Sequence, residues 1–170
     1  MTELSSLVAP VSDIARHAGE AILAIYQKDF KATTKKDGSP VTKADIASHD
    51  ILISELKRLL PGVPLLSEES EDIPYTDRSS WSVYWLVDPL DGTKEFVKRS
   101  DEFTINIALM EANLPVFGLV YTPILNRIHW GFQNGWAWCA QNGNRRRINT
   151  LQYKGGRACV AASRSHGQRR

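Results

Sequence analysis

Apolar residues recur at three- and four-residue spacing near the start of the chain: Val11, Ile14, Ala15, Ala18, Ile22 and Ile25. That period lines them along one face of a helix running from about Ser6 to Tyr26. Pro10 is tolerable only in its first turn, where a missing N–H costs nothing. The following "KKDGSP" is turn material. A second helix is predicted to open near Thr42, because Thr42 and Asp45 form a capping-box-like T-x-x-D arrangement. It carries Ile46, Ile53, Leu56 and Leu60 inward and stops at Pro61-Gly62.

Past Gly62 the helical period gives way to short apolar runs. "VPLLS" and "VYWLV" read as buried strands, and "FTINIALME", "PVFGLVYTP", "RIHWGFQ" and "GWAWCA" follow, divided by polar or Pro/Asn/Gly turns such as Asn134-Gly135. Two helices and then an antiparallel meander predict an α+β fold, with the helices packed on one face of a mostly antiparallel sheet. "RACVAASRSH" reads as one further buried strand, with only "GQRR" after it, so the expectation is a chain cut short.

Composition narrows the class. With 42% apolar and 24% charged residues, 170 residues suit one ordinary globular domain with a sizeable core. No apolar run approaches the ~18 residues of a membrane span. The opening "MTELSSLVAP" lacks the basic start and apolar block of a signal peptide, which makes the cytoplasm the expected compartment. A net charge of +2 is too small to argue for a nucleic acid polymer as partner. Arg145 to Arg147 and Arg169-Arg170 read as solvated loop and tail. Cys139 and Cys159 have no metal-ligand spacing and are expected to be reduced, in or near the core.

The candidate chemistry is acidic. Asp45 stands at the second helix start, Glu68-Glu69 follow "PLLS", and Asp88 and Asp91 follow "YWLV". Singly, each has a bland reading: a helix cap, a solvated pair, a surface turn. Together, each beside an apolar element, they favour a site. Neighbouring strands would bring Glu68, Asp88 and Asp91 together, and carboxylates so placed raise one another's pKa unless a cation sits among them. An all-oxygen cluster suits magnesium. Pro89 stiffens the link, so that the Leu90 carbonyl also points inward. Gly92 permits close backbone approach, and Thr93 opens a short helix, "TKEFVK", whose free N–H groups suit a phosphate. These parts suggest metal-assisted phosphate ester hydrolysis.

"WLVDPLDGTKEF", "LLSEES" and "GSPVTKADIASHD" resemble the inositol monophosphatase superfamily. "DPLDGTKEF" with "FTINIAL" and the later "SRSH" is similar to its 3'(2'),5'-bisphosphate nucleotidase branch, the CysQ type. The resemblance implies magnesium held by Glu68, Asp88, Asp91 and the Leu90 carbonyl. It implies that Asp45 and Thr93 activate the attacking water, with Glu68 also in the catalytic set and Glu69 supporting it. Asp91, Gly92, Thr93 and Lys36 would meet the substrate phosphate, with Ser163 and His166 as further substrate-binding residues. The implied substrate is a small nucleotide, adenosine 3',5'-bisphosphate, converted to AMP and phosphate in sulfur assimilation. An inositol phosphate or another small phosphomonoester is the alternative substrate, and an inactive remnant of a nucleotidase the alternative without chemistry.

The resemblance also implies an N-terminal α+β domain, residues 1–170, of a longer sugar-phosphatase-like fold. Relatives continue for most of another domain, carrying a Trp-Asp motif that completes a second metal site. No Trp here precedes an Asp. The expectation is therefore weak or no activity for the chain alone and a core exposed on one side. A homodimer and peripheral attachment to the cytoplasmic face of the inner membrane are both compatible with the resemblance.

Overall fold

The structure is a computed structural model that describes residues 3–28, 33–34, 40–70, 72–150, 152 and 155. A 3-10 turn, Leu4–Leu7, leads into helix α1, Val8–Tyr26. Pro10 lies in the first turn, as its missing donor requires. Val11, Ile14, Ala15, Ala18 and Ile22 are buried, while Ile25 packs only partly against the core and Tyr26 takes the last buried position. Two short strands, β1 (Thr33–Thr34) and β2 (Pro40–Val41), pair antiparallel before helix α2, Lys43–Leu59.

The inward face of α2 differs from the one the apolar pattern predicts. Leu56 is buried, and Ile53 and Leu60 pack partly against the core, but Ile46 is 46% exposed. The buried line runs instead through Ala44, Asp45, Ser48, Leu52 and Leu56. Successive helical residues are turned by about 100°, so burying Asp45 rotates Ile46 out to solvent.

The sheet is built from β3 (Leu65–Ser67), β4 (Val83–Asp91), β5 (Thr104–Glu111), β6 (Leu114–Thr122), β7 (Arg127–Phe132), β8 (Ala137–Gln141) and β9 (Asn144–Ile148), in that spatial order. The first pair is parallel and every later pair antiparallel, confirming an α+β fold with a meander. Two short helices, α3 (Tyr75–Arg78) and α4 (Thr93–Val97), sit in the connections flanking β4.

Arg145 to Arg147 are not loop, as the sequence suggested, but the middle of edge strand β9. The missed signal is Asn142-Gly143, both at positive φ (51° and 77°), a two-residue turn that closes a hairpin. The arginines are exposed, as charged side chains on an edge strand should be. Arg145 and Arg147 lie over the rings of Trp138 and Trp136, 4.7 and 3.4 Å from their centroids.

Helices α1 and α2 pack on each other and on one face of the sheet, α1 against β6 and α2 against β4. Trp85, Ile105, Phe117 and Leu119 form the sheet side of that core. Among the described residues no helix of the α1–α2 layer covers the opposite face, where Leu86 and Val120 are 40% and 39% exposed. Cys139 is buried and free of a disulfide. Cys159 and the run "RACVAASRSH" lie outside the described residues. Among the described residues, no helix is long and apolar enough to cross a membrane.

Candidate active site

The parallel pairing of β3 with β4 sets the site. Leu65, Leu66 and Ser67 stand opposite Trp85, Leu86 and Val87, and the Glu68 N–H donates to the Val87 carbonyl at 3.2 Å. The next residues along are therefore Glu68 and Asp88, and their carboxyl groups come within hydrogen-bonding reach of each other. Burial, then the charges of Glu68 and Asp91, then the hydrogen bond with Glu68 push the Asp88 carboxyl up from 3.8 to about 7. The Leu90 N–H donates to Asp88 Oδ1 at 3.2 Å and opposes that rise.

Between Asp88 and Asp91 the pairing of β4 with β5 shifts register, at Pro89-Leu90. A proline has no N–H for the ladder, so the chain bends there. Asp91 is then fixed from the neighbouring strand. Asn106 Nδ2 donates to Asp91 Oδ2 at 3.0 Å, and Asn106 Oδ1 accepts from the Thr104 hydroxyl at 3.1 Å.

Gly92 follows with φ +94°, and a Cβ there would stand 2.7 Å from the Glu102 carbonyl oxygen. Glycine is required by the backbone conformation and by the space. It caps α4, which is held down by Phe96: its ring lies 4.9 Å from Tyr26 and 5.2 Å from Phe103, centroid to centroid. Arg99 adds a clasp, donating to the backbone carbonyls of Tyr26 and Lys28 at the end of α1.

Thr93, the first residue of α4, faces the start of α2. Its Oγ1 lies 3.0 Å from Asp45 Oδ1 and 3.2 Å from the Leu90 carbonyl. Asp45 is fully buried and its other oxygen accepts from both the Thr42 N–H and the Thr42 hydroxyl, each at 2.7 Å. The Ala44 N–H donates to Thr42 Oγ1 at 3.0 Å, completing the helix cap. Asp45 thus has both roles the sequence raised, cap and neighbour of Thr93.

Glu68 with Asp88, and Asp45 with Thr93, are thereby brought together in pairs, with Asp91 close enough for its charge to act on Asp88. Among the described residues, no three His, Cys, Asp or Glu side chains are already drawn in around a single metal-sized point. Glu69 adjoins the site, its N–H donating to Ser67 Oγ at 3.4 Å. Lys36, Ser163 and His166 lie outside the described residues. Sequence reasoning missed Asn106, whose signal was a lone amide in the apolar run "TINIAL". A cavity of about 660 Å³ opens beside the carboxyl pair, walled by Glu68, Asp88 and Asn106 and floored by Leu86, Ala108 and Val120.

The model of the inositol monophosphatase family matches residues 3–170. The 3'(2'),5'-bisphosphate nucleotidase CysQ of Salmonella typhimurium is 46% identical over 163 residues, covering 94% of this chain and 64% of that protein. Among solved structures, CysQ from Bacteroides thetaiotaomicron superposes with a TM-score of 0.69 at 36% identity, over 91% of this chain and 54% of that one. The extragenic suppressor protein SuhB from Bartonella henselae gives 0.72 at 26% identity, over 86% and 55%. The chain thus spans less than two thirds of the length of these relatives. Its sequence and its fold agree on one assignment: the chain belongs to the inositol monophosphatase family.

Proposed function

We propose that the chain carries the metal-binding and water-activating part of a magnesium-dependent 3'(2'),5'-bisphosphate nucleotidase, which releases the 3'-phosphate of adenosine 3',5'-bisphosphate to leave AMP. The observation that carries this reading is the meeting of Glu68 with Asp88 beside the Asp45–Thr93 pair. The 46% identity to a protein named for that activity supports the choice of substrate.

The donor set suits a hard cation. Glu68, Asp88, Asp91 and the Leu90 carbonyl offer only oxygen, and burial together with the charges of Glu68 and Asp91 raises the proton affinity of Asp88. A divalent ion held there would neutralise these carboxylates and polarise the phosphoryl oxygens. The remaining work falls to the chain itself. Asp45 Oδ2 is engaged by Thr42, so Oδ1 is the atom left to accept the Thr93 proton. With its proton directed at Asp45, Thr93 Oγ1 has a lone pair for the hydrogen of an attacking water. Thr93 is the half-exposed member of the pair and Asp45 the buried one, which suits a relay from solvent inward.

Gly92 and Thr93 would present backbone N–H groups to the ester phosphate at the start of α4. Lys36, Ser163 and His166 are proposed as further phosphate contacts on the resemblance alone. The cavity beside Glu68 and Asp88 falls in the range of roughly 300–1,000 Å³ typical of small-ligand sites.

The test is phosphate release from adenosine 3',5'-bisphosphate and from inositol 1-phosphate, each with magnesium and with chelator. Weak magnesium-dependent release favouring the nucleotide is the result expected of this chain alone. Preference for the inositol ester would overturn the substrate. Release that ignores chelator would overturn the metal reading.

A further inference from the structure

We propose that Ser48 and His49 are positioning residues, and that with Asp45 they make one face of α2 a template setting the spacing of the site's three segments. The proposal rests on the reading that Glu68 and Asp88 hold a divalent ion, and extends it to residues outside the ligand set.

Positions 45, 48 and 49 are related by steps of three and four, so they project from one side of a helix. Each reaches a different segment of the site. Asp45 Oδ1 accepts from Thr93 at the start of α4. The Ser48 hydroxyl donates to the Pro89 carbonyl at 2.7 Å, one residue beyond Asp88. His49 Nδ1 lies 2.9 Å from Ser67 Oγ, one residue before Glu68. The two side chains therefore grip the ends of β3 and β4 next to the carboxylates they carry.

Local chemistry explains why these groups are polar. Pro89 lies where the pairing of β4 with β5 shifts, and the Ser48 hydroxyl supplies a donor to its carbonyl there. Ser48 is fully buried and Ser67 is 6% exposed, so an unmade hydrogen bond at either is costly. Ser67 Oγ accepts the Glu69 N–H at 3.4 Å and shares a second hydrogen bond with His49 Nδ1. The chain Glu69–Ser67–His49 thus ties the Glu68-Glu69 turn to α2.

A template differs from mere core satisfaction in what it moves. Loss of packing lowers stability everywhere, whereas loss of spacing weakens metal binding in particular; outer contacts of this kind typically govern metal affinity by about 10- to 100-fold. The variants are Ser48→Ala, His49→Ala and His49→Asn, the last keeping a hydrogen-bonding group near the Nδ1 position. Leu52→Ala is the control, one turn along α2 and fully buried. The readouts are the magnesium midpoint for the rise in Tm and amide hydrogen exchange at residues 68–70 and 88–91 without metal.

Ser48→Ala and His49→Ala should each move the midpoint up about tenfold and speed local exchange. His49→Asn should sit near wild type, and Leu52→Ala should lower Tm while leaving the midpoint in place. Midpoints and exchange unchanged in both alanine variants overturn the template. A flat magnesium titration of wild type, with exchange still accelerated in the variants, overturns the metal reading and leaves the spacing role standing.

Discussion

Asp88→Asn should make the metal-free protein more stable at pH 8, although it removes a residue proposed for the active site. The Asp88 carboxyl is raised from 3.8 to about 7, first by burial and then by Glu68 and Asp91. Between those values the folded state holds a proton that the unfolded chain has released, so metal-free stability falls as pH rises through the window. Below 3.8 the penalty is absent, and above 7 it is complete. At 1.36 kcal/mol per pKa unit, the full difference corresponds to about 4 kcal/mol. Asp88 is only half-buried, so solvent screening reduces this to about 1–2 kcal/mol.

For a chain of this size that stabilisation corresponds to a rise in Tm of about 3–6 °C. Thermal unfolding with chelator at pH 5 and pH 8 measures it, with Glu68→Gln as a parallel variant that removes the other half of the pair. Both should flatten the decline in Tm between the two pH values. Added magnesium should then reverse the order at pH 8, because ligand linkage stabilises wild type and not Asp88→Asn. If Asp88→Asn were no more stable than wild type at pH 8 in chelator, the convergence of negative charge on Asp88 would be refuted.

Five other substitutions, at four positions, probe the frame. Gly92→Ala places a Cβ 2.7 Å from the Glu102 carbonyl oxygen at φ +94°, and should cost about 3 kcal/mol in urea unfolding; a loss below about 1 kcal/mol would show that the turn relaxes freely. Thr42→Ala removes the cap hydroxyl and one of the two hydrogen bonds holding Asp45 Oδ2, for about 1 kcal/mol. Thr42→Ser should recover most of it, and failure to do so would argue that the methyl group, not the hydroxyl, matters. Ile107→Ala, on the helix-covered face at 2% exposure, should cost about 2–5 kcal/mol, whereas Leu86→Ala on the open face should cost about 1 kcal/mol. Equal costs would contradict the two-faced sheet.

Much of this was legible in the chain because periodicity reports burial. Val11, Ile14, Ala15, Ala18 and Ile22 form a helix stripe where it was expected, with Ser12 the one polar residue buried in that stretch. "DPLDGTKEF" could be read as a strand end, a glycine turn and a helix start because each step has its own local signal in Pro89, Gly92 and Thr93. The parallel partnership of β3 with β4 has no such signal. It joins segments separated by α3 and its loops, and the sequence showed only two apolar runs that had to be neighbours for the site to exist. The strand β9 was lost for a simpler reason, since "NRRRI" has no apolar alternation and only Asn142-Gly143 announced it.

The error at Ile46 and the silence about Ser48 and His49 have a single cause. Apolar patterning assumes that the inward side of a helix is its greasy side, and α2 breaks that assumption over its first two turns. Asp45 and Ser48 are fully buried while Ile46 is turned to solvent. A helix gives up that much apolar burial only where its polar groups find partners, and here the partners are Thr93, Pro89 and Ser67. From Leu52 onward, past those segments, the inward positions are leucines again. The stretch of α2 that defies the hydrophobic pattern coincides with the stretch that touches the site, so in this chain a local failure of amphipathicity is itself a marker of function.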